Sequence, residues 1–153
     1  MTETVESRLA ALGIALPTPK PPVANYVPFV RSGNQLFISG QVPMGPDGLE
    51  YQGKLGAGFT VDQGQAAARL CAVNLLAVAK LASGDLDRVR CLKLTGFVNS
   101  APDFGDHPKV INGASDLMVE ALAEKGKHSR SAVGVAALPF GVAVEVEGIF
   151  EIA

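Results

Sequence analysis

The sequence of 153 residues has no tryptophan, two cysteines and two histidines, which leaves few side chains for a metal or thiol site. Cys71 and Cys91 each lie in an apolar run, which favours buried free thiols over a disulfide or a metal-binding pair. The chain also lacks a P-loop, a dinucleotide-binding fingerprint, a Ser-His-Asp arrangement and clustered metal ligands. The sequence therefore predicts no metal site.

Basic residues are not in excess, because there are 13 lysines and arginines against 15 aspartates and glutamates, for a net charge of −2. Nucleic-acid binding draws on a basic excess, so the composition gives that function no support. No uninterrupted apolar run approaches the roughly 18 residues of a membrane span. The acidic N-terminus lacks the basic and apolar regions of a secretory signal. We expect a soluble cytoplasmic protein.

Hydrophobic residues make up 48% of the chain, which excludes a disordered protein and fits one compact domain. Residues 3–13 have a short helical pattern, and four prolines between Pro17 and Pro22 predict an extended connector. Residues 1–22 therefore form an N-terminal extension, and residues 23–153 form the domain.

Within the domain, apolar periodicity and turn residues predict alternating strands and helices. The predicted strands are 26–31, 35–39, 90–98, 131–138 and 143–152. The predicted helices begin at Thr60, as a capping box with Gln63, and at Asp106, and they end at Gly84 and near Glu124. Residues 43–58 are rich in turns and predict an exposed, mobile loop.

The order β-β-α-β-α-β-β after an N-terminal helix predicts an α+β sandwich, a mixed sheet with both long helices on one face. The strand at 131–138 has small and apolar residues on both faces. A sheet that is apolar on both faces suggests that other subunits cover the second face.

Few side chains are candidates for chemistry. His107 and His128 are more typical of a solvated helix start and a solvated turn. Arg130, at a loop–strand boundary, is either a surface residue or a planar fork for a carboxylate. Glu145 and Glu147 share one face of the last strand. A partner chain on that face would desolvate a glutamate and raise its pKa towards neutrality, which suits proton transfer.

Six pieces of the chain, in order, resemble the Rid family (RidA/YjgF, formerly endoribonuclease L-PSP) over residues 24–152. The C-terminal pieces are Ser129–Val133, Leu138–Pro139 and Val144–Glu147. The upstream pieces are Tyr26–Val27 with Gly33–Pro43, Ala66–Leu81, and Phe97–Val98 with Ile111–Gly113. The resemblance implies a chorismate-mutase-like fold and a homotrimer with its sites at subunit clefts.

The resemblance also implies cofactor-free hydrolysis of 2-imino or enamino acids to 2-keto acids and ammonia. Arg130 would bind the substrate carboxylate, and Glu145 would activate water. The residues expected to line the pocket are Tyr26, Ser39, Gly40, Asn112 and Ala132.

The chain departs from the family pattern at three places. Ala132 stands where cysteine is common, His128 where Pro or Ala is usual, and Ala24-Asn25-Tyr26 where Gly-Pro-Tyr is expected.

Two alternatives to the deaminase remain. One is a non-catalytic module that binds a small carboxylate in the same cleft, and the other is an endoribonuclease using the basic run from Lys125 to Arg130.

Overall fold

The structure is a computed structural model that describes residues 3–21 and 25–153. Within these residues there are three α-helices: α1 (Val5–Ala11), α2 (Val61–Ser83) and α3 (His107–Leu122). The strands of the main sheet are β1 (Phe29–Ser32), β2 (Gln35–Gln41), β7 (Val89–Asn99), β8 (Ser129–Val135) and β9 (Val144–Ile152). Four two-residue strands lie between them: β3 (Met44–Gly45), β4 (Gly48–Leu49), β5 (Lys54–Leu55) and β6 (Gly58–Phe59).

The main sheet has the strand order β1-β2-β9-β7-β8, in which only β7 and β8 run parallel. Helix α2 packs on β2 and β9, and α3, which connects β7 to β8, packs on both of those strands. Both long helices therefore cover one face, and the predicted α+β sandwich is confirmed. The main core lies between this face and the two helices, where Leu36, Leu94 and Val146 are fully buried.

Helix α2 begins and ends where the sequence predicts. The Thr60 hydroxyl accepts a hydrogen bond from the Gln63 backbone, the Gln63 side chain accepts one from the Thr60 backbone, and Gly84 ends the helix with a φ of 75°. In the described residues, α2 is the one helix long and apolar enough to cross a membrane by length and composition. Its apolar composition follows from its packing against both the sheet and α3.

Several predicted boundaries were wrong by a few residues. Strand β1 begins at Phe29 and excludes Tyr26, and β8 spans Ser129–Val135 where 131–138 was predicted. Parallel pairing with β7 explains the second shift, because the register runs from Lys93↔Ser129 to Asn99↔Val135. Helix α3 ends at Leu122, and a 3₁₀ turn continues to Gly126.

The segment 43–58 is more ordered than the predicted mobile loop. It forms the short pairs β3–β4 and β5–β6, and Leu55 is fully buried. The buried Asn74 side chain on α2 donates hydrogen bonds to the carbonyls of Val42 and Met44, at 3.0 and 3.1 Å. Lys54 Nζ donates to Asn99 Oδ1 at 2.7 Å. These buried polar contacts fix the segment to the domain.

The N-terminal helix α1 is docked on the domain. Val5 and Leu9 join the core cluster, and Val5 N–H donates to Asp87 Oδ1 at 2.9 Å. Arg8 Nε donates to the Ala121 carbonyl at 2.8 Å, where a cation complements the C-terminal end of α3. The predicted boundary between residues 22 and 23, and Ala24 of the departure at 24–26, lie outside the described residues.

We expect Leu9→Ala to lower the free energy of unfolding by about 2–4 kcal/mol, since it removes a buried side chain that bridges α1 and the domain. Leu12→Ala is the matched control: Leu12 is 37% exposed against 1% for Leu9, so its loss should cost less than about 1 kcal/mol. Urea denaturation measures both. Equal small effects would mean that α1 does not unfold together with the domain.

Candidate functional site

Arg130 and Asn112 meet between β8 and α3. Arg130 Nη1 donates a hydrogen bond to Asn112 Oδ1 at 2.8 Å, which holds the guanidinium against the helix. Both residues line a shallow hollow of about 320 Å³. Ala132 lies two residues further along β8, so it shares the face of Arg130, and it packs partly against the core. Three of the predicted site residues therefore form one group, the Arg130 group.

Glu145 and Gly40 meet beside a register shift between β2 and β9, and Ser39 directly precedes Gly40 in β2. The Glu145 carboxylate lies directly against Gly40, where a side chain would collide with it. Ser39 Oγ donates to the Val27 carbonyl at 2.7 Å, which ties this part of β2 to the residue after Tyr26. The Tyr26 side chain itself is 62% exposed. The other four predicted residues thus lie near the register shift between β2 and β9, and we name them the Glu145 group.

The pKa of the Glu145 carboxyl group departs from its ordinary value. Burial raises the pKa of Glu145, and the negative charge of Glu147 on the same strand face raises it further. A carboxyl with a raised pKa holds and releases a proton nearer to neutral pH. From the sequence, this shift is expected only beneath a partner chain, whereas a single chain already produces it.

Within one chain the two groups lie on opposite faces of the sheet. Arg130 pairs with Leu94 of β7, which is fully buried beneath the helices, and Glu145 pairs with Phe97. Positions three apart on a strand point to opposite faces, so Arg130 faces the helices and Glu145 faces the uncovered side. One chain therefore does not bring the two predicted catalytic side chains together.

Comparison with known proteins identifies the family. Residues 6–149 match the family described as "YjgF/chorismate mutase-like, putative endoribonuclease". Protein TCP17 of Trypanosoma cruzi is 51% identical over 97% of this chain and 94% of its own length. The crystal structure of protein Atu1372 from Agrobacterium tumefaciens is 48% identical, with a TM-score of 0.91 over 98% of this chain and 94% of that one. The chain belongs to the YjgF family.

A more distant YjgF-type structure is also similar. RidA from the Antarctic bacterium Psychrobacter sp. PAMC 21119 is 32% identical, with a TM-score of 0.60 over 88% of this chain and 94% of that one. The resemblance drawn from the six sequence pieces is thus confirmed at the level of family and fold. The roles of the individual site residues stay predictions.

Two residues beside Arg130 were not among the predicted site residues. Arg130 Nη1 also donates to Ser115 Oγ at 3.1 Å, and Ser115 Oγ lies 2.9 Å from His128 Nε2. The interpretation of His128 as a solvated turn residue was wrong, because its ring is partly buried and hydrogen-bonded at both nitrogens. The spacing of Asn112 and Ser115, three residues apart on one helix face, could have indicated the serine.

His107 also differs from its predicted role. It is the first residue of α3, as expected, but its Nε2 lies 3.1 Å from Ser100 Oγ and its ring meets Phe104 edge to face, with centroids 5.2 Å apart. These residues line a second hollow of about 410 Å³ beside Gly134. The histidine is therefore partly buried and takes part in a defined polar contact.

Both cysteines are buried free thiols, as the sequence predicts. Burial raises the pKa of Cys91 to about 12 and that of Cys71 well above its ordinary value, so both are protonated at neutral pH. In residues 3–21 and 25–153 no three potential metal ligands come together.

Proposed function

We propose that the protein is a deaminase that hydrolyses 2-imino and enamino acids to 2-keto acids and ammonia. The observation that carries the proposal is the guanidinium of Arg130, fixed by Asn112 at the edge of a hollow where a small carboxylate can reach it. A planar guanidinium holds a carboxylate by two parallel hydrogen bonds, which orients the adjacent C=N carbon. The resemblance to the Rid family implies the same reaction, and RidA from Psychrobacter is one of the similar structures.

The proposed reaction requires one proton acceptor and one water molecule. As water attacks the carbon of the protonated imine, one water proton passes to Glu145 and a neutral carbinolamine forms. Glu145 then returns this proton to the amine nitrogen. The C–N bond breaks as the C=O bond forms, the hydroxyl proton passes back to Glu145, and ammonia and the 2-keto acid leave. An enamino acid first takes a proton at carbon to become the protonated imine. The raised pKa of Glu145 suits both directions of transfer.

We further propose that the active form is a homotrimer in which the Arg130 group of one protomer meets the Glu145 group of the next. Three observations support this arrangement. The two groups lie on opposite sheet faces, so a single chain has half of each site. The uncovered face contains partly exposed apolar side chains, with Phe37 and Val133 39% and 43% exposed. Glu145 lies on that same face.

Subunit mixing tests the shared site. Arg130→Ala and Glu145→Gln homotrimers should each be inactive towards 2-iminopropionate. Co-expressed as mixed trimers, they should recover about a quarter of the wild-type rate, because random assembly leaves that share of clefts with both intact residues. Keto-acid formation coupled to lactate dehydrogenase measures the recovery. Mixed trimers as inactive as their parents would contradict a site built from two chains.

The endoribonuclease alternative receives less support from the basic run. Lys125 Nζ donates to the Asp87 carbonyl at 2.8 Å, and Lys127 Nζ lies 3.0 Å from Glu124. Two of the cations that would bind phosphates thus already have partners within the chain.

A further inference from the structure

Both hydrogens of Nη1 of Arg130 are used within the chain. This nitrogen donates to Asn112 Oδ1 at 2.8 Å and to Ser115 Oγ at 3.1 Å, and a terminal guanidinium nitrogen has two hydrogens. Across residues 3–21 and 25–153, the Arg130 side chain makes no other hydrogen bond. The edge formed by Nε and Nη2 is therefore the part of the fork that still offers two parallel donors.

The hydrogen bonds of His128 and Ser115 have one consistent direction. His128 Nδ1 lies 2.6 Å from the Gly126 carbonyl, which can only accept, so the hydrogen is on Nδ1. In the neutral ring Nε2 is then a bare acceptor, and the Ser115 hydroxyl at 2.9 Å donates to it. This leaves a lone pair of Ser115 Oγ for Arg130 Nη1. Each donor in this hydrogen-bond series, from Arg130 through Ser115 and His128 to the Gly126 carbonyl, thus meets an acceptor.

The last acceptor of this hydrogen-bond series, the Gly126 carbonyl, is anchored in the fold. Gly126 is buried, and a side chain there would collide with the backbone of Met118 and Val119 in α3. Its carbonyl is therefore in a fixed place. Of the other residues that line the hollow, Asp116 and Lys127 are charged and exposed, and neither is hydrogen-bonded to Ser115 or His128.

We propose that Ser115 and His128 are positioning residues of the carboxylate site. They hold Nη1 of Arg130 against α3, so that the substrate carboxylate is bound by the Nε and Nη2 edge. The inference rests on the proposed function for the identity of the ligand, a small 2-keto or 2-imino acid. A hydroxyl that merely filled space would leave the orientation of the guanidinium unchanged when removed.

Two measurements on the unliganded protein test the geometry. Nitrogen NMR of the His128 ring should show Nδ1 protonated and Nε2 bare. In Ser115→Ala, rotation of the Arg130 guanidinium about its Nε–Cζ bond should be roughly tenfold faster, because one charge-assisted hydrogen bond is lost. Ser115→Thr retains the hydroxyl and should restore the slow rotation. Equal rotation rates in the wild type and Ser115→Ala would overturn the proposal.

Binding and kinetics test the consequence. Ser115→Ala should bind 2-ketobutyrate about tenfold more weakly by calorimetry and raise KM by a similar factor, with kcat little changed. Ser100→Ala removes the hydroxyl of the other serine–histidine pair, which is not bonded to Arg130, and should change neither value.

The outcomes separate the two proposals. Unaltered 2-ketobutyrate binding in Ser115→Ala would overturn the role of Ser115 and His128. Wild-type protein that binds 2-ketobutyrate but does not hydrolyse 2-iminopropionate would overturn the deaminase. In that case, weaker 2-ketobutyrate binding by Ser115→Ala would still support the positioning role. Wild-type protein that binds no 2-keto acid would overturn both.

Discussion

Arg130→Lys should lower kcat/KM for 2-iminopropionate by about 10²–10³-fold, although the positive charge is retained. Lysine is a single point donor, so the two parallel hydrogen bonds to the carboxylate and the orientation of the imine carbon are lost. Contacts of this charged kind are worth about 1.5–3 kcal/mol each. Steady-state kinetics over a range of substrate concentrations measures the effect.

Arg69→Lys is a matched control for this substitution. Arg69 on α2 also reaches α3, where its Nη1 lies 3.1 Å from Glu120 Oε1, but the pair is on the surface. Its replacement should leave kcat/KM within about twofold, because exposed ion pairs contribute little. An Arg130→Lys variant as active as Arg69→Lys would exclude Arg130 as the carboxylate ligand and remove the basis of the proposed function.

Local signals predicted the helices well because their ends depend on residues close in sequence. Thr60 with Gln63 and the left-handed Gly84 fix the ends of α2 whatever the tertiary context. The predicted bounds of the strand at 131–138 were wrong for the opposite reason. Its bounds depend on parallel pairing with β7, more than thirty residues away, and no pattern within the strand itself carries that information.

The candidate site divides in the same way. Alternation along β9 predicted that Glu145 and Glu147 share a face, and the structure agrees. The face of Arg130 relative to Glu145 follows from two registers with β7, which sequence spacing does not reveal. His128 was misjudged because its partners, Ser115 and the Gly126 carbonyl, come together only after α3 has packed beside β8.

Glu145→Gln should reduce kcat by about 10²–10⁴-fold, the usual contribution of a positioned general acid–base group. Folding should survive, since burial already disfavours the ionised carboxyl and the neutral amide has nearly the same shape. The same variant separates an enzyme from a non-catalytic binder. A binder has no turnover to lose and should retain most of its affinity for 2-ketobutyrate.

The pH dependence of kcat/KM gives a second test of Glu145, through its neighbour Glu147. Glu147→Gln removes a like charge, so the pKa of Glu145 should fall and the acid limb of the profile should move to lower pH. Glu151→Gln, on the same strand face but further along β9, should leave the limb in place. If the acid limb lies at the same pH in Glu147→Gln as in the wild type, another group takes the proton from water. Glu145 would then have only a structural role.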